Sequence, residues 1–305
     1  MNTTPIIDFI SDCNNKNDAS FEWHINYPLS KCCSFKLGGN ASIAIFPRNI
    51  DCFEKLIDFL LQEKILFRVI GNGTNLVPSD LGFDGVLIIT KKMNLFFFTD
   101  TLLNAECGVG ITFLAKKASE FSLSGLEKLY GIPATVGGGI YMNCGAYNSQ
   151  ISDILISAKC YHHERKKILT YSKDEMHFSY RFSRCKEEPI TVLSAEFKLS
   201  RGNADEISSV MDAVMSKRRS SQPLELPNAG SIFKRPENNF AGKLIEEAGL
   251  KGYRIGDAMV SPKHAGFIVN CGKATSHDVR ELINYVKNTV YEKSGVNLEC
   301  EVEFL

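Results

Sequence analysis

The stretch Gly125–Tyr147 reads Gly-Leu-Glu-Lys-Leu-Tyr-Gly-Ile-Pro-Ala-Thr-Val-Gly-Gly-Gly-Ile-Tyr-Met-Asn-Cys-Gly-Ala-Tyr. Glycine lets a backbone approach a ligand where a Cβ would clash, and it reaches positive φ at little cost. Three consecutive glycines at 137–139 disfavour a stable helix or a strand interior. The stretch therefore predicts a backbone cradle whose free N–H groups face an anion such as a pyrophosphate. The alternative is a flexible glycine loop, which four interleaved apolar residues disfavour: Ile132, Val136, Ile140 and Met142.

The bulk composition is that of a globular enzyme. A chain of 305 residues predicts two or three domains. Lys and Arg total 35, as do Asp and Glu, so no overall charge favours nucleic acid or an acidic membrane. No apolar run approaches the ~20 residues of a membrane helix, and the first residues lack a basic signal-peptide start. We therefore expect a cytoplasmic protein.

Ten cysteines are scattered along the chain, with no Cys-x-x-Cys motif and no zinc-finger spacing. Scattered thiols suit a reducing compartment better than a disulfide framework. No metal site is predicted.

Apolar periodicity predicts alternating helices and strands after an irregular N-terminal segment over residues 1–30. Ser276 is the predicted N-cap of a long helix that Gly295 stops. The predicted helices are 51–63, 112–121, 205–218, 241–248 and 276–293. The predicted strands are 43–46, 67–70, 86–90, 95–98, 103–108, 154–161, 168–171, 190–199 and 298–304.

A second glycine loop follows the strand Phe67–Ile70 and reads Gly71-Asn72-Gly73-Thr74-Asn75-Leu76. It lacks the third glycine of a dinucleotide fingerprint, and Pro78 argues against a helix opening on the phosphate. There is also no Gly-Lys-Ser/Thr, which disfavours a Walker-type NTPase. What remains is a polar strand-end loop whose N–H groups can hold phosphate.

The sharpest polar motif of the C-terminal third is Asn228–Pro236. Gly230 makes Ser231 accessible, and Lys234 and Arg235 add positive charge beside it. A serine among cations can donate a proton to a developing carbanion. An ordinary Asn-Gly-type turn is the alternative.

Other polar candidates carry weaker signals. Arg181 of the pair Tyr180-Arg181 offers a planar fork suited to a carboxylate, and a surface arginine is the alternative. Glu301 lies two residues from Glu299 in a strand, where such pairs are usually solvated. Lys263-His264 forms a cationic turn that can be merely structural, and Arg218 ends a helix, where the dipole favours cations.

Eight segments, in this order, resemble the UDP-N-acetylenolpyruvoylglucosamine reductases, the MurB family of peptidoglycan synthesis. They are Ser34–Ala41, Gly71–Leu76, Gly125–Tyr147, Tyr180-Arg181, Asn228–Pro236, Ala241–Gly252, Lys263–Asn270 and Glu299–Val302. The resemblance covers about residues 30–304 and implies an α+β fold. After an N-terminal segment (1–30) it implies an FAD-binding region of the PCMH or vanillyl-alcohol-oxidase type at 31–200. That region has two α/β subdomains, about 31–90 and 91–200, and a substrate domain follows at 201–305.

The resemblance also implies a reaction. NADPH reduces non-covalent FAD, and the flavin delivers hydride to C3 of UDP-N-acetylglucosamine-enolpyruvate. Arg181 stabilises the resulting enolate, and Glu301, preferred to Glu299, polarises or orients the carboxylate side. Ser231 protonates C2 to give UDP-N-acetylmuramate. The implied cofactor residues are Gly71, Asn72, Gly73, Thr74, Asn75, Leu76, Ile132, Pro133, Ala134, Thr135, Gly137, Gly138, Asn143, Ala146 and Arg218. The implied substrate residues are Tyr180, Asn228, Lys234, Lys263 and His264.

Departures from the family pattern are small. Cys33-Ser34 stands where Asn-Thr is common, Ala134 replaces a glycine, and Cys144 replaces an alanine. The segment after Ser183 is short, which predicts the shorter branch that lacks a tyrosine loop. The rival interpretations are another FAD-dependent oxidoreductase of the vanillyl-alcohol-oxidase type and a non-catalytic flavin or nucleotide-sugar binder. No nucleic-acid, membrane or obligatory protein partner is expected.

Overall fold

The computed structural model describes residues 1–16 and 20–305 and divides them into two compact units, each discontinuous in sequence. Unit 1 comprises Met1–Ile25, Ser42–Asn72 and Asp84–Ser216. Unit 2 comprises Asn26–Ala41, Gly73–Phe83 and Lys217–Leu305. These two units interleave along the chain, whereas the sequence predicted a linear division at residues 30 and 200. The predicted domain boundaries stay a prediction.

Unit 1 contains two sheets. Their strands are β1 Phe21–Pro28, β2 Asn40–Pro47, β3 Phe67–Ile70, β5 Phe83–Ile89, β6 Phe96–Thr99, β7 Leu102–Glu106, β11 Leu155–His162, β12 Lys167–Ser172 and β13 Ile190–Lys198. The first sheet has the order β1-β2-β5-β3, and β3 runs parallel to β5. The second is antiparallel, in the order β12-β11-β13-β7-β6.

The helices of unit 1 cover these sheets with apolar faces. In α2 (Ile50–Gln62) the fully or nearly buried residues recur at helical spacing, and the side chain of Asn49 caps the helix by accepting from the N–H of Cys52. α3 (Ile111–Glu120) buries Ile111, Leu114 and Ala118. These residues belong to one hydrophobic core that includes the strands of the five-stranded sheet. Short strand pairs complete the unit: β8 (Leu123–Ser124) with β14 (Ser200–Arg201), and β9 (Gly145–Ala146) with β10 (Ser149–Gln150).

Unit 2 has its own core around a four-stranded antiparallel sheet. Its order is β15 (Asn228–Ser231), β18 (Phe267–Asn270), β17 (Ala258–Val260) and β16 (Arg254–Ile255). α6 (Ala241–Glu247) and α7 (Ser276–Ser294) contribute buried apolar side chains to this core. A two-stranded parallel pair joins β4 (Leu76–Val77) to β19 (Glu303–Phe304). α5 (Ala204–Ser221) connects the last part of unit 1 to unit 2.

Three local predictions are wrong. The N-terminal segment is not irregular, because it forms α1 (Thr4–Lys16), whose Ile6 and Ile10 lie four residues apart and are fully buried. The N-cap of α7 is Thr275, not Ser276, because Thr275 forms a capping box with Asp278. The final predicted strand shrinks to β19, preceded by a single bridge between Phe233 and Cys300.

No helix within residues 1–16 and 20–305 has the length and apolar character needed to cross a bilayer. The same residues contain no group of three or more His, Cys, Asp or Glu side chains placed to hold a metal ion. All ten cysteines are thiols.

Candidate active site

The triple glycine of the opening stretch forms a short helix, α4 (Val136–Tyr141), which corrects the prediction that it could not be helical. Each glycine costs a helix interior about 1 kcal/mol relative to alanine. Close packing offsets this cost. A Cβ on Gly137 would lie 3.0 Å from Cys107 Cβ, and one on Gly139 would lie 2.5 Å from Ile111 Cδ1. The helix therefore sits closer to its neighbours than a helix with side chains could.

The N–H groups of this helix are not free, so that part of the predicted anion cradle is wrong. Val136 donates to the carbonyl of Val109 (2.8 Å), and Gly137 donates to the carbonyl of Cys107 (2.9 Å). Gly138 donates to Oγ1 of Thr135 (3.3 Å), which caps the helix. Any anion held by this segment must be bound by groups other than these amides.

Two predicted cofactor segments meet inside unit 1. The side-chain Nδ2 of Asn72 donates to the carbonyl of Pro133 (2.8 Å), across 61 positions of sequence. A Cβ on Gly71 would lie 2.2 Å from Oγ1 of Thr135, so this approach requires glycine. Gly138 is different, because its φ is not positive and the nearest atom to an added Cβ would be Thr135 Oγ1 at 3.5 Å. Gly138 thus faces a space that a Cβ would fill.

The second half of the glycine loop belongs to unit 2. Gly73 has φ +63°, and a Cβ there would lie 2.0 Å from the carbonyl oxygen of Cys32. Its own carbonyl accepts from the N–H of Ser34 (3.1 Å). Within residues 1–16 and 20–305, the N–H groups of Gly73 and Thr74 donate no hydrogen bond. These two amides therefore have no acceptor among the described residues, and the binding of phosphate by this loop stays a prediction.

Asn75 connects the glycine loop to the segment around Glu301, which directly precedes β19. Its Nδ2 donates to the carbonyl of Glu301 (3.0 Å), and its own carbonyl accepts from the N–H of Glu303 (2.9 Å). One predicted cofactor residue and one predicted catalytic residue are therefore neighbours in unit 2.

Ser231 and Glu301 are also brought together in unit 2. Ser231 ends β15 and pairs with Phe267 of β18. The carbonyl of the next residue, Ile232, accepts from the N–H of Glu301 (2.8 Å). Glu301 is half-buried, whereas Glu299 is 74% exposed and forms an ion pair with Lys234 (3.1 Å). The structure therefore separates the two glutamates by environment.

The side chain of Asn228 forms hydrogen bonds inside the turn that precedes Ser231. Its Nδ2 donates to the carbonyls of Pro223 (3.1 Å) and Leu226 (2.8 Å), and its Oδ1 accepts from Gly230 (2.9 Å). Its carbonyl accepts from the hydroxyl of Ser34 (2.6 Å), a residue to which the sequence assigned no site role. The side chain of Asn228 is thus engaged in the Asn-Gly turn considered as an alternative for this motif.

Lys263 and His264 form the predicted turn in unit 2. The Oγ of Ser261 accepts from both backbone N–H groups (3.2 and 3.3 Å). Nδ1 of His264 accepts from the N–H of Gly266 (3.1 Å), which places the proton of the neutral ring on Nε2. Burial lowers the pKa of His264 below its usual value. Nζ of Lys263 lies 3.5 Å from a carboxylate oxygen of Glu225, so this lysine forms an ion pair within the protein.

Arg181 lies in a tight turn of unit 1. Ser179 and Phe182 exchange two backbone hydrogen bonds of 3.2 Å around it, and Arg181 itself has φ +56°. Its guanidinium Nη2 donates to the carbonyl of Gly145 (3.4 Å) and its Cζ lies 5.0 Å from the ring centroid of Tyr180. Tyr180 is 50% exposed. Arg181 is therefore anchored against the end of the opening stretch, beside Ala146, and is not an ordinary surface arginine.

Arg218 and Asn143 complete the predicted set. Arg218 is half-buried in the last turn of α5, in unit 2. Asn143 is 1% exposed in unit 1, and its side-chain amide bonds to other residues of the protein. The resemblance implied a cofactor role for Asn143, but Gln150 and Ser179 accept from its buried Nδ2, so neither of the two amide N–H donors is left for a cofactor.

Comparison with known proteins decides the family. A family profile for the C-terminal domain of UDP-N-acetylenolpyruvoylglucosamine reductase matches residues 222–305, and a profile for an FAD binding domain matches residues 41–165. A UDP-N-acetylenolpyruvoylglucosamine reductase of Caldicellulosiruptor saccharolyticus is 49% identical over 280 residues, which are 91% of this chain and 90% of that protein. The chain belongs to the UDP-N-acetylenolpyruvoylglucosamine reductase family.

A solved structure of this family supports the assignment. The crystal structure of UDP-N-acetylenolpyruvylglucosamine reductase (MurB) from Thermus caldophilus matches with a TM-score of 0.80 and 32% identity, covering 93% of this chain and 98% of that one. The enzyme of Listeria welshimeri is 42% identical over 92% of this chain and 94% of its own length. The predicted family and the predicted α+β fold with an FAD-binding region are confirmed. Membership of the shorter reductase branch stays a prediction.

Proposed function

We propose that this chain reduces UDP-N-acetylglucosamine-enolpyruvate to UDP-N-acetylmuramate with NADPH and FAD, in the cytoplasm, for peptidoglycan precursor synthesis. The observation that carries the proposal is the pairing in unit 2 that makes Ser231 and Glu301 neighbours through Ile232. A hydroxyl and a carboxylate on two backbone segments joined by this hydrogen bond suit proton transfer to a carbanion beside a carboxylate. Family membership supplies the substrate class.

Two features of the chain suit FAD: an open space beside a glycine, and backbone N–H groups that have no acceptor within the described residues. Gly138 leaves an open position beside Thr135, and the amides of Gly73 and Thr74 are available to phosphate oxygens. We assign cofactor contacts to Gly71–Leu76, Ile132–Thr135, Gly137, Gly138, Ala146 and Arg218. FAD, when bound, supplies hydride transfer between the nicotinamide and the enol ether.

Three side chains act on the substrate. Arg181 stabilises negative charge that develops on the enolpyruvyl carboxylate and C2, because a planar guanidinium matches a carboxylate. Glu301 orients that end of the substrate. Ser231 gives its hydroxyl proton to C2, which completes the lactyl ether. Glu299 takes no part, because its carboxylate is exposed and paired with Lys234.

Substrate binding is assigned to residues around these groups. In unit 1, Tyr180 is exposed beside Arg181. In unit 2 the candidates surround β15 and β18, and they are Asn228, Lys234, Lys263 and His264. The reaction requires no further protein partner.

The test is Ser231→Ala, with Ser231→Cys as the conservative variant. Losing a general acid slows a reaction by about 10²- to 10⁴-fold, so turnover should fall by that factor while NADPH still bleaches the bound flavin. Reduced wild-type enzyme should be reoxidised by the enolpyruvyl nucleotide sugar much faster than by oxygen alone. Normal turnover in Ser231→Ala would remove the serine assignment, and fast reoxidation by oxygen without response to the enol ether would favour an oxidase.

A further inference from the structure

One buried carboxamide connects the glycine-rich stretch to the turn that carries Arg181. Asn143 follows α4 and is 1% exposed, with φ +41°. Its Nδ2 donates to the carbonyl of Ser179 (3.0 Å) and to Oε1 of Gln150 (3.1 Å). Its Oδ1 accepts from the N–H of Ser152 (3.3 Å). Donors and acceptors on both ends fix the orientation of the amide.

The bond to Ser179 is at the base of the arginine turn. Ser179 is the residue whose two backbone hydrogen bonds with Phe182 close the turn around Arg181. Arg181 adopts the left-handed region, which costs a non-glycine residue roughly 1 kcal/mol or more and persists only where the surroundings impose it. A second bond holds the other side, since the buried hydroxyl of Ser183 donates to the carbonyl of Tyr141 (2.9 Å).

Asparagine is suited to position 143 for two independent reasons. It tolerates positive φ better than other residues that carry a side chain, and it offers a donor and an acceptor at once. A glycine would keep the backbone conformation and remove the amide. An aspartate would keep the conformation and the acceptor but place a carboxylate against the carbonyl of Ser179.

We infer that Asn143 is a positioning residue, which acts on the reaction by holding the Ser179–Phe182 turn and thereby the guanidinium of Arg181. The role of Arg181 in this inference rests on the proposed function. The statement that Asn143 holds the turn does not depend on it. Loss of a hydrogen bond from a buried amide shifts a local opening equilibrium by about tenfold. Asn143 variants should therefore loosen this turn while leaving α4 and the flavin contacts in place.

The first experiment is independent of activity. Trypsin cleavage of the FAD-loaded full chain at the Arg181–Phe182 bond is followed by mass spectrometry in wild type, Asn143→Gly and Asn143→Asp. Cleavage there should be about tenfold faster in both variants, with cleavage at the exposed Arg201 unchanged. Gln150→Ala is the matched control, because it removes another arm of the same amide network and leaves the Ser179 bond. Wild-type cleavage rates at Arg181 in both Asn143 variants would overturn the inference.

The second experiment connects the turn to turnover. Asn143→Gly should lower kcat about tenfold or more, while reduction of bound flavin by NADPH stays within about twofold. In an Arg181→Ala background the same substitution should add almost nothing, because the group it positions is gone. A full, additive loss in that background, or loss of flavin reduction, would overturn the positioning role. If wild type itself does not reduce the enolpyruvyl ether, the proposed function fails, and the proteolysis result still decides whether Asn143 holds the turn.

Discussion

Two neighbouring glycines of α4 should respond to the same substitution with opposite signs. Alanine gains about 0.5–1 kcal/mol over glycine inside a helix, so both variants start with a gain. At Gly139 the new Cβ meets Ile111 Cδ1 at 2.5 Å and Cys144 Sγ at 3.0 Å, and overpacking of this kind costs about 1–3 kcal/mol. At Gly138 the nearest atom is 3.5 Å away, an ordinary contact. We expect Gly139→Ala to destabilise unit 1 and Gly138→Ala to stabilise it slightly.

The decisive assay is unfolding by urea with and without FAD. A ligand at one hundred times its Kd stabilises a protein by about 2.7 kcal/mol, and a hundredfold weaker Kd reduces this to about 0.4 kcal/mol. If FAD occupies the space beside Gly138, the methyl group of Gly138→Ala enters that space and weakens FAD binding. The variant should then fold normally but lose most of the FAD-dependent stabilisation. Gly138→Ala protein that binds FAD as wild type does would refute the idea that this space is the cofactor's. Gly139→Ala protein of wild-type stability would refute the packing argument.

Two further predictions follow from the site and the core. Glu301→Gln should lower turnover at least about a hundredfold, whereas Glu299→Gln should change it less than about threefold, as steady-state kinetics will show; equal losses would mean that the two carboxylates share the role. Burial lowers the pKa of His163 to about 4, below the 6.5 of an unfolded chain, so the unfolded state binds the extra proton. The stability contributed by neutral His163 should therefore be complete above pH 6.5 and fall as the pH drops toward 4, and His163→Gln should have a flatter urea midpoint over that interval; parallel curves would contradict this assignment.

Elements with strong local signals were predictable from the sequence. The predicted helix over 51–63 is α2, with the expected apolar face buried, and the long helix stopped by Gly295 is α7. The strands that became β11, β12 and β13 were placed within about two residues. In each case the period of the apolar residues agrees with the face that the fold buries, so local preference and tertiary packing give the same answer.

Elements that depend on distant partners were not predictable. α1 has only a few apolar residues, and its helix is fixed by burial of Ile6 and Ile10 in the core of unit 1. The interleaved units arise because Phe35 and Val77, far apart in sequence, belong to the core of the C-terminal residues. No local sequence pattern shows to which hydrophobic core a residue belongs, because this depends on which surfaces become buried together in the folded chain.

The site shows why a glycine-rich motif cannot be interpreted from residue type alone. Gly73 and Gly230 are required by positive φ, and Gly137 and Gly139 by close packing against the protein itself. All four would be glycine in a protein that binds nothing. Gly138 meets neither condition, since its φ is ordinary and its Cβ position is clear. A glycine that the fold does not need is best explained by something outside the chain, and so this one position, rather than the run of three, is evidence for a ligand.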